Sequence, residues 1–139
     1  MTPRLPSHLF SISGTVETGL GNGGKFLSME AYAKRIQNLI GFRPFAGTLN
    51  VRLFEGGLRD SFLGQLQRQS LSAFSYRKKK FGGFDLFPVR IGGKIQGAVI
   101  FPHKTTHPAR VLELIAREHL RTLLHLKDGD LVRIEPPSP

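Results

Sequence analysis

Two alternating runs, Phe84–Ile91 and Lys94–Phe101, meet at Gly92-Gly93, and a Gly-Gly connection between such runs signals a β-hairpin. Glycine supplies the positive φ that tight hairpin turns require, and the alternation turns one face of each strand toward a core. Pro88 has no N–H to give to a neighbour, so the first of these strands is expected at a sheet edge or with a bulge.

Other segments repeat the pattern. From Leu9, residues Phe10, Ile12, Gly14 and Val16 alternate with Ser11, Ser13, Thr15 and Glu17, which predicts a half-buried strand. Phe45–Phe54 is a second, with Leu49, Val51 and Leu53 opposite Thr48, Asn50 and Arg52; Gly56-Gly57 ends it. Leu131–Glu135 is a final strand after the turn Lys127–Asp130. One helix is well marked. Ser28 is its N-cap and Glu30 lies in its first turn, while Met29, Tyr32, Ala33, Ile36 and Ile40 form one apolar face and Gly41 is the stop. Ser61–Gln69 is a shorter helix candidate with Phe62, Leu63 and Leu66 inward. Periodicity leaves Pro108–Leu126 open between one long helix and a strand Val111–Ala116 followed by a helix Glu118–Leu124. Short strands with few, brief helices predict a mainly β, α+β small barrel rather than a parallel sheet. A chain of 139 residues accommodates one domain over 1–139, with 1–8 an irregular lead-in and 136–139 a frayed tail.

Composition removes several chemistries. Without cysteine there are no disulfides, thiolate zinc sites or cysteine nucleophiles, which fits a cytoplasmic location. No apolar run is long enough for a membrane span, so no membrane partner is expected. The formal charge of +10 favours polyanionic partners. The run Arg77–Lys80 is read as a solvated loop or as a screen for phosphate charge near a site mouth.

Gly14–Phe26, G-T-V-E-T-G-L-G-N-G-G-K-F, lies between the first strand and the first helix. Its glycines allow a ligand close to the main chain, and successive bare N–H groups make a concavity for anions. The stretch is therefore a phosphate cradle or a plain strand–helix connection. Gly19, Gly21 and Gly24 formally match G-x-G-x-x-G, but no acid stands about twenty positions on for a ribose, and the Rossmann reading fails. No Gly-Lys-Ser/Thr follows, so it is not a Walker loop either. Thr48 and Asn50 share one strand face, where two neutral oxygens suit Mg²⁺ or form a polar outer surface. Glu113, inside the apolar V-L-E-L-I-A, is either an exposed strand position or a carboxylate held by a specific donor. His103 and His107 lack a third ligand, and His119 and His125 look like surface or helix-end residues.

Taken in order, S-G-T-V-E-T-G-L-G-N-G (Ser13–Gly23), G-F-R-P-F-A-G-T-L-N-V (Gly41–Val51), K-T-T-H (Lys104–His107) and E-L-I-A through H-L-R to L-K-D-G-D (Glu113–Asp130) resemble the archaeal CTP-dependent riboflavin kinase family. The resemblance implies a six-stranded cradle-loop β-barrel related to riboflavin synthase, and Mg²⁺-assisted phosphoryl transfer from CTP to riboflavin, giving CDP and FMN. By the resemblance Gly19, Leu20, Gly21, Asn22, Gly23 and Gly24 cradle the nucleotide, and Glu118, His119, Leu120 and Arg121 close over it. Thr48 and Asn50 hold the metal, and Thr105 and Glu113 contact the flavin. It also selects strand then helix for the ambiguous stretch. Arg117 replaces the proline usual after the I-A pair, a change expected to loosen the turn there. No side chain is identified as proton acceptor for the riboflavin hydroxyl, and a monomer is expected. The rival is a basic barrel binding nucleic acid; against it, the basic residues are scattered and no stacking platform of interleaved aromatics is evident.

Overall fold

The computed structural model describes residues 9–19, 30–103 and 110–137. The expected lead-in, the Ser28 cap, Met29, Leu20–Gly24 and Thr105 with the rest of K-T-T-H after His103 lie outside these residues, as do 138–139 of the tail. Among the described residues the elements run β1 (Ile12–Glu17), α1 (Glu30–Ile40), β2 (Leu49–Leu53), a 3₁₀ turn (Gly56–Leu58), α2 (Arg59–Gly64), β3 (Gln69–Leu71), β4 (Phe74–Tyr76), β5 (Lys79–Phe81), β6 (Phe84–Ile91), β7 (Ile95–Pro102), β8 (Val111–Ala116), α3 (Leu120–Leu123) and β9 (Leu131–Glu135).

All strand pairs are antiparallel, in the order β6-β7-β8-β2-β1-β9, and β9 returns to β6 through Arg90↔Glu135 and Ile91↔Ile134. The chain is therefore a closed six-stranded barrel with a few short helices, as its strand pattern predicts. Closure removes the exposed edges that a small sheet otherwise presents. The far half of β6 pairs with β3 instead, at Leu86↔Gln69 and Phe84↔Leu71. Pro88 sits between the two partners of that edge, where a missing N–H breaks no ladder.

Alternation places Val16, Val51, Val89, Val99, Leu112 and Leu114 inside the barrel. A second cluster lies on the outer face, where Tyr32 and Ile36 of α1 cover Leu86, Ala98, Ile100 and Ile115. Both faces of β7 are thus covered, which is why Gly97–Ile100 is buried without interruption. Gly41 ends α1 at φ 86°, with its N–H given to the Gln37 carbonyl at 2.8 Å.

Several boundaries differ from the sequence reading. The β6–β7 connection is three residues, Gly92–Lys94, because Lys94 gives its N–H to the Ile91 carbonyl and β7 begins at Ile95. The second helix is Arg59–Gly64, and Gln69 already belongs to β3. Arg77–Lys80 is not a free loop but the turn of a hairpin and the first two residues of its second strand, with Arg77 and Lys78 at φ 49° and 64°. Tyr32 holds that hairpin on α1, edge-on to Phe74 and Phe81 at 5.5 and 5.3 Å and hydrogen-bonded to the Gly82 carbonyl at 3.0 Å. The ambiguous stretch is strand then short helix, β8 then α3.

Candidate functional site

β2 and β8 run antiparallel with Leu49 opposite Leu114, so the chain entering β2 lies beside the chain leaving β8. Between them is a small cleft, about 60 Å³, lined by Phe45, Gly47, Thr48 and Leu49 on one side and Ala116 and Glu118–Arg121 on the other. The expected strand Phe45–Phe54 starts only at Leu49, because the preceding residues fold onto β8. Phe45 gives its N–H to the Ala116 carbonyl at 2.8 Å, and Gly47 gives its own to Phe45 at 2.8 Å. The Phe45 ring, 40 % exposed, lies on the His119 imidazole with centroids 4.7 Å apart and planes 26° apart. His119 is fixed in turn by a 2.8 Å contact between its Nδ1 and Thr122 Oγ1. Where the Arg117 turn was expected to loosen, its guanidinium lies 5.5 Å over the Phe42 ring.

Beside the cleft, register brings three polar residues into one row. Asn50 on β2 is opposite Glu17 on β1 and Glu113 on β8, and their inward neighbours Val16, Val51 and Leu112 fill the core. The row therefore lies on the outer wall, with Cβ atoms about 5 Å from their neighbours. Glu17 is bound by Arg52 through hydrogen bonds of 2.7 and 3.4 Å. Gly19 reaches the same spot from the end of β1. A Cβ there would fall onto the Asn50 side-chain amide, which would have to move aside to admit it.

The start of the glycine-rich stretch is also tied to α3. Arg121 Nη2 donates to the Glu17 carbonyl at 3.3 Å and to Asp128 Oδ1 at 2.7 Å, while Thr18 Oγ1 donates to Asp128 Oδ2 at 2.6 Å. The hydrogen bond from Thr18, then that from Arg121, holds the Asp128 carboxyl below the usual aspartate range. At the far end of β7, burial works to raise Asp85, but hydrogen bonds from Ser70 (2.6 Å) and with His103 (2.9 Å) bring it below its ordinary value. That contact fixes His103, the last described residue before Thr105.

Of the residues singled out from sequence, Gly19, Thr48, Asn50, Glu113 and Glu118–Arg121 gather at this corner of the barrel. Phe45, Thr18 and Asp128 belong there too, though the sequence reading gave them no role. Phe45 and Asp128 stand inside the motifs G-F-R-P-F-A-G and L-K-D-G-D, and Thr18 in T-G-L-G-N-G; those motifs were the available signal. Among the described residues no group of three His, Cys, Asp or Glu is placed to hold a metal. No helix among them is long and apolar enough to cross a membrane.

The family model CTP-dep_RFKase, described as domain of unknown function DUF120, matches residues 16–135. The chain is 41 % identical over 133 residues to the riboflavin kinase of Saccharolobus solfataricus, covering 94 % of this chain and 76 % of that protein. It is 39 % identical over 126 residues to the riboflavin kinase of Methanobrevibacter smithii, covering 89 % and 98 %. With the riboflavin kinase of Pyrobaculum aerophilum it shares 40 % over 123 residues, 88 % of this chain but 58 % of the longer relative. The match runs from the end of β1 to the end of β9, so it takes in the barrel except for the first four residues of β1, and all the residues gathered at the cleft: this chain belongs to the CTP-dependent riboflavin kinase family.

Proposed function

We propose that the chain transfers the terminal phosphoryl group of CTP to riboflavin, releasing CDP and FMN, at the corner formed by Gly19, Thr48, Asn50 and Glu118–Arg121. The observation that carries this reading is the approach of Gly19 to Asn50, which joins the glycine-rich stretch to the strand pair expected to hold a metal. The riboflavin hydroxyl oxygen bonds to the terminal phosphorus as the bond to the bridging oxygen breaks, and the hydroxyl proton is lost. Such a transfer asks the protein chiefly for alignment and charge compensation.

Backbone N–H groups of the glycine-rich stretch, from Gly19 on, bind the phosphates. The exposed face of the Phe45–His119 pair is a stacking surface for the planar cytosine, with Glu118–Arg121 along its edge. Glu113, directly opposite Asn50 in the β2–β8 register, faces the flavin. The donor set suits Mg²⁺: Thr48 and Asn50 offer neutral hard oxygens, and the nearby Glu17 is already neutralised by Arg52. Held by Thr48 and Asn50, the ion would offset phosphate charge.

The test is to incubate the chain with riboflavin, Mg²⁺ and each nucleoside triphosphate separately and to resolve FMN by chromatography. CTP is expected to give the highest yield. An equal yield from ATP removes the CTP assignment and leaves a flavin kinase; no FMN from any donor overturns the proposal.

A further inference from the structure

The turn before β9 is joined to the end of β1 by main-chain bonds. Val16 gives its N–H to the Asp130 carbonyl at 2.9 Å, and Gly129 gives its own to the Val16 carbonyl at 2.8 Å. The turn is braced internally by Lys127 N–H donating to Asp130 Oδ2 at 2.9 Å. Asp128 is therefore held on a rigid support. From there one carboxylate oxygen takes the Thr18 hydroxyl and the other takes Arg121. A single side chain thus links the last residues before the glycine-rich stretch to the helix that walls the cleft, segments more than a hundred positions apart in sequence.

The link has little to offer stability. The Arg121 and Asp128 side chains are 31 % and 55 % exposed, and ion pairs this open contribute little to folding. Its effect falls on geometry. Glu17 is held by its side chain to Arg52 and by its carbonyl to Arg121, Thr18 by its hydroxyl to Asp128, and Gly19 by its close approach to Asn50. The two residues before the stretch that is to wrap the phosphates, and its first glycine, are thus fixed in succession. Pre-set geometry lowers the ordering cost of binding.

We infer that Asp128 is a positioning residue of the nucleotide site: through Thr18 and Arg121 it sets where the glycine-rich stretch leaves the barrel relative to α3, and so governs nucleotide affinity without touching the flavin. The inference rests on the reading of the cleft as a nucleotide site. Its test is calorimetric titration of the full chain with CTP and Mg²⁺, for the parent, Asp128→Ala, Thr18→Val and the double variant. Riboflavin affinity is measured separately by flavin fluorescence, and each melting temperature is recorded.

Each single change is expected to weaken CTP binding by about tenfold, the scale of one charge-assisted hydrogen bond. The double variant should be no worse than Asp128→Ala, because Thr18 acts only through that carboxylate. Riboflavin affinity and melting temperature should stay near the parent's. Unchanged CTP affinity in folded Asp128→Ala overturns the inference, as does a parallel fall of CTP affinity, riboflavin affinity and melting temperature, which would make the network a plain fold element. A parent that binds no CTP removes the nucleotide reading and this inference with it, a result distinct from a parent that binds and variants that match it.

Discussion

Glu135 and Asp128 are both carboxylates gripped by an arginine at 2.7 Å, in opposite surroundings. Glu135, 6 % exposed, lies where β6 and β9 close the barrel and is shared by Arg90 and Arg133, the latter at 3.2 Å. Asp128 lies in solvent at the cleft, between Arg121 and Thr18. Bond length does not separate them; burial does. Removing a partner from a buried carboxylate leaves a charge where water cannot reach it, and the fold bears the cost. Around an exposed carboxylate water takes the partner's place, so the fold hardly notices and only the position of the linked segments changes. The seam pair therefore bears on closure of the barrel, and the exposed pair on the position of the segments it links beside the cleft.

Substitutions on the two sides should separate these effects. The largest is expected at the cleft. Asn50→Leu removes an oxygen from the outer row while the inward Leu49, Val51 and Leu53 stay in place. FMN turnover should fall by roughly 100-fold, equivalent to about 3 kcal/mol of transition-state stabilisation. A melting temperature near the parent's should accompany it. An unchanged turnover would make Thr48 and Asn50 a polar strand face. Next comes Arg90→Met at the seam, expected to destabilise the fold by about 2–3 kcal/mol in denaturant titration, with the KM for CTP unchanged. The hydrogen bond from Arg90 outweighs the cost of burial and holds Glu135 below the usual glutamate range. A depressed carboxylate contributes stability above its unfolded pKa, which is lost as pH falls through the folded value. The parent's advantage over Arg90→Met should therefore be full at neutral pH and shrink as pH drops below about 4. An advantage independent of pH would contradict the account of the seam.

The strands were legible because a barrel wall buries one face, and the alternation in β1 and β2 records that face directly. The β4–β5 hairpin was not legible. Its turn is Arg77-Lys78 at positive φ, where Asn-Gly would have announced it, and four adjacent cations read as loop. Phe45 reads as strand by composition, yet its ring turns onto His119, a contact no local pattern encodes. Thr48 and Asn50 were visible as one polar strand face and Glu113 as an acid in an apolar run, but their neighbours were not. The register that sets Asn50 between Glu17 and Glu113 comes from pairing β2 with strands far away in sequence. Asp128 read only as a turn residue, since Thr18, its partner, lies 110 positions away. The grouping of these residues into one site came from the family resemblance, and the structure gave it geometry.

The central claim, that the corner at Gly19 and Asn50 takes a nucleotide with its metal, is tested most directly by thermal melting with CTP and Mg²⁺ for the parent and Asn50→Leu. A ligand at about 100 times its dissociation constant stabilises the folded state by about 2.7 kcal/mol, several degrees for a domain of this size. The account predicts that rise for the parent, a smaller one with ATP and Mg²⁺, and almost none with CTP for Asn50→Leu. An equal rise for the two proteins, or none for the parent, would contradict it.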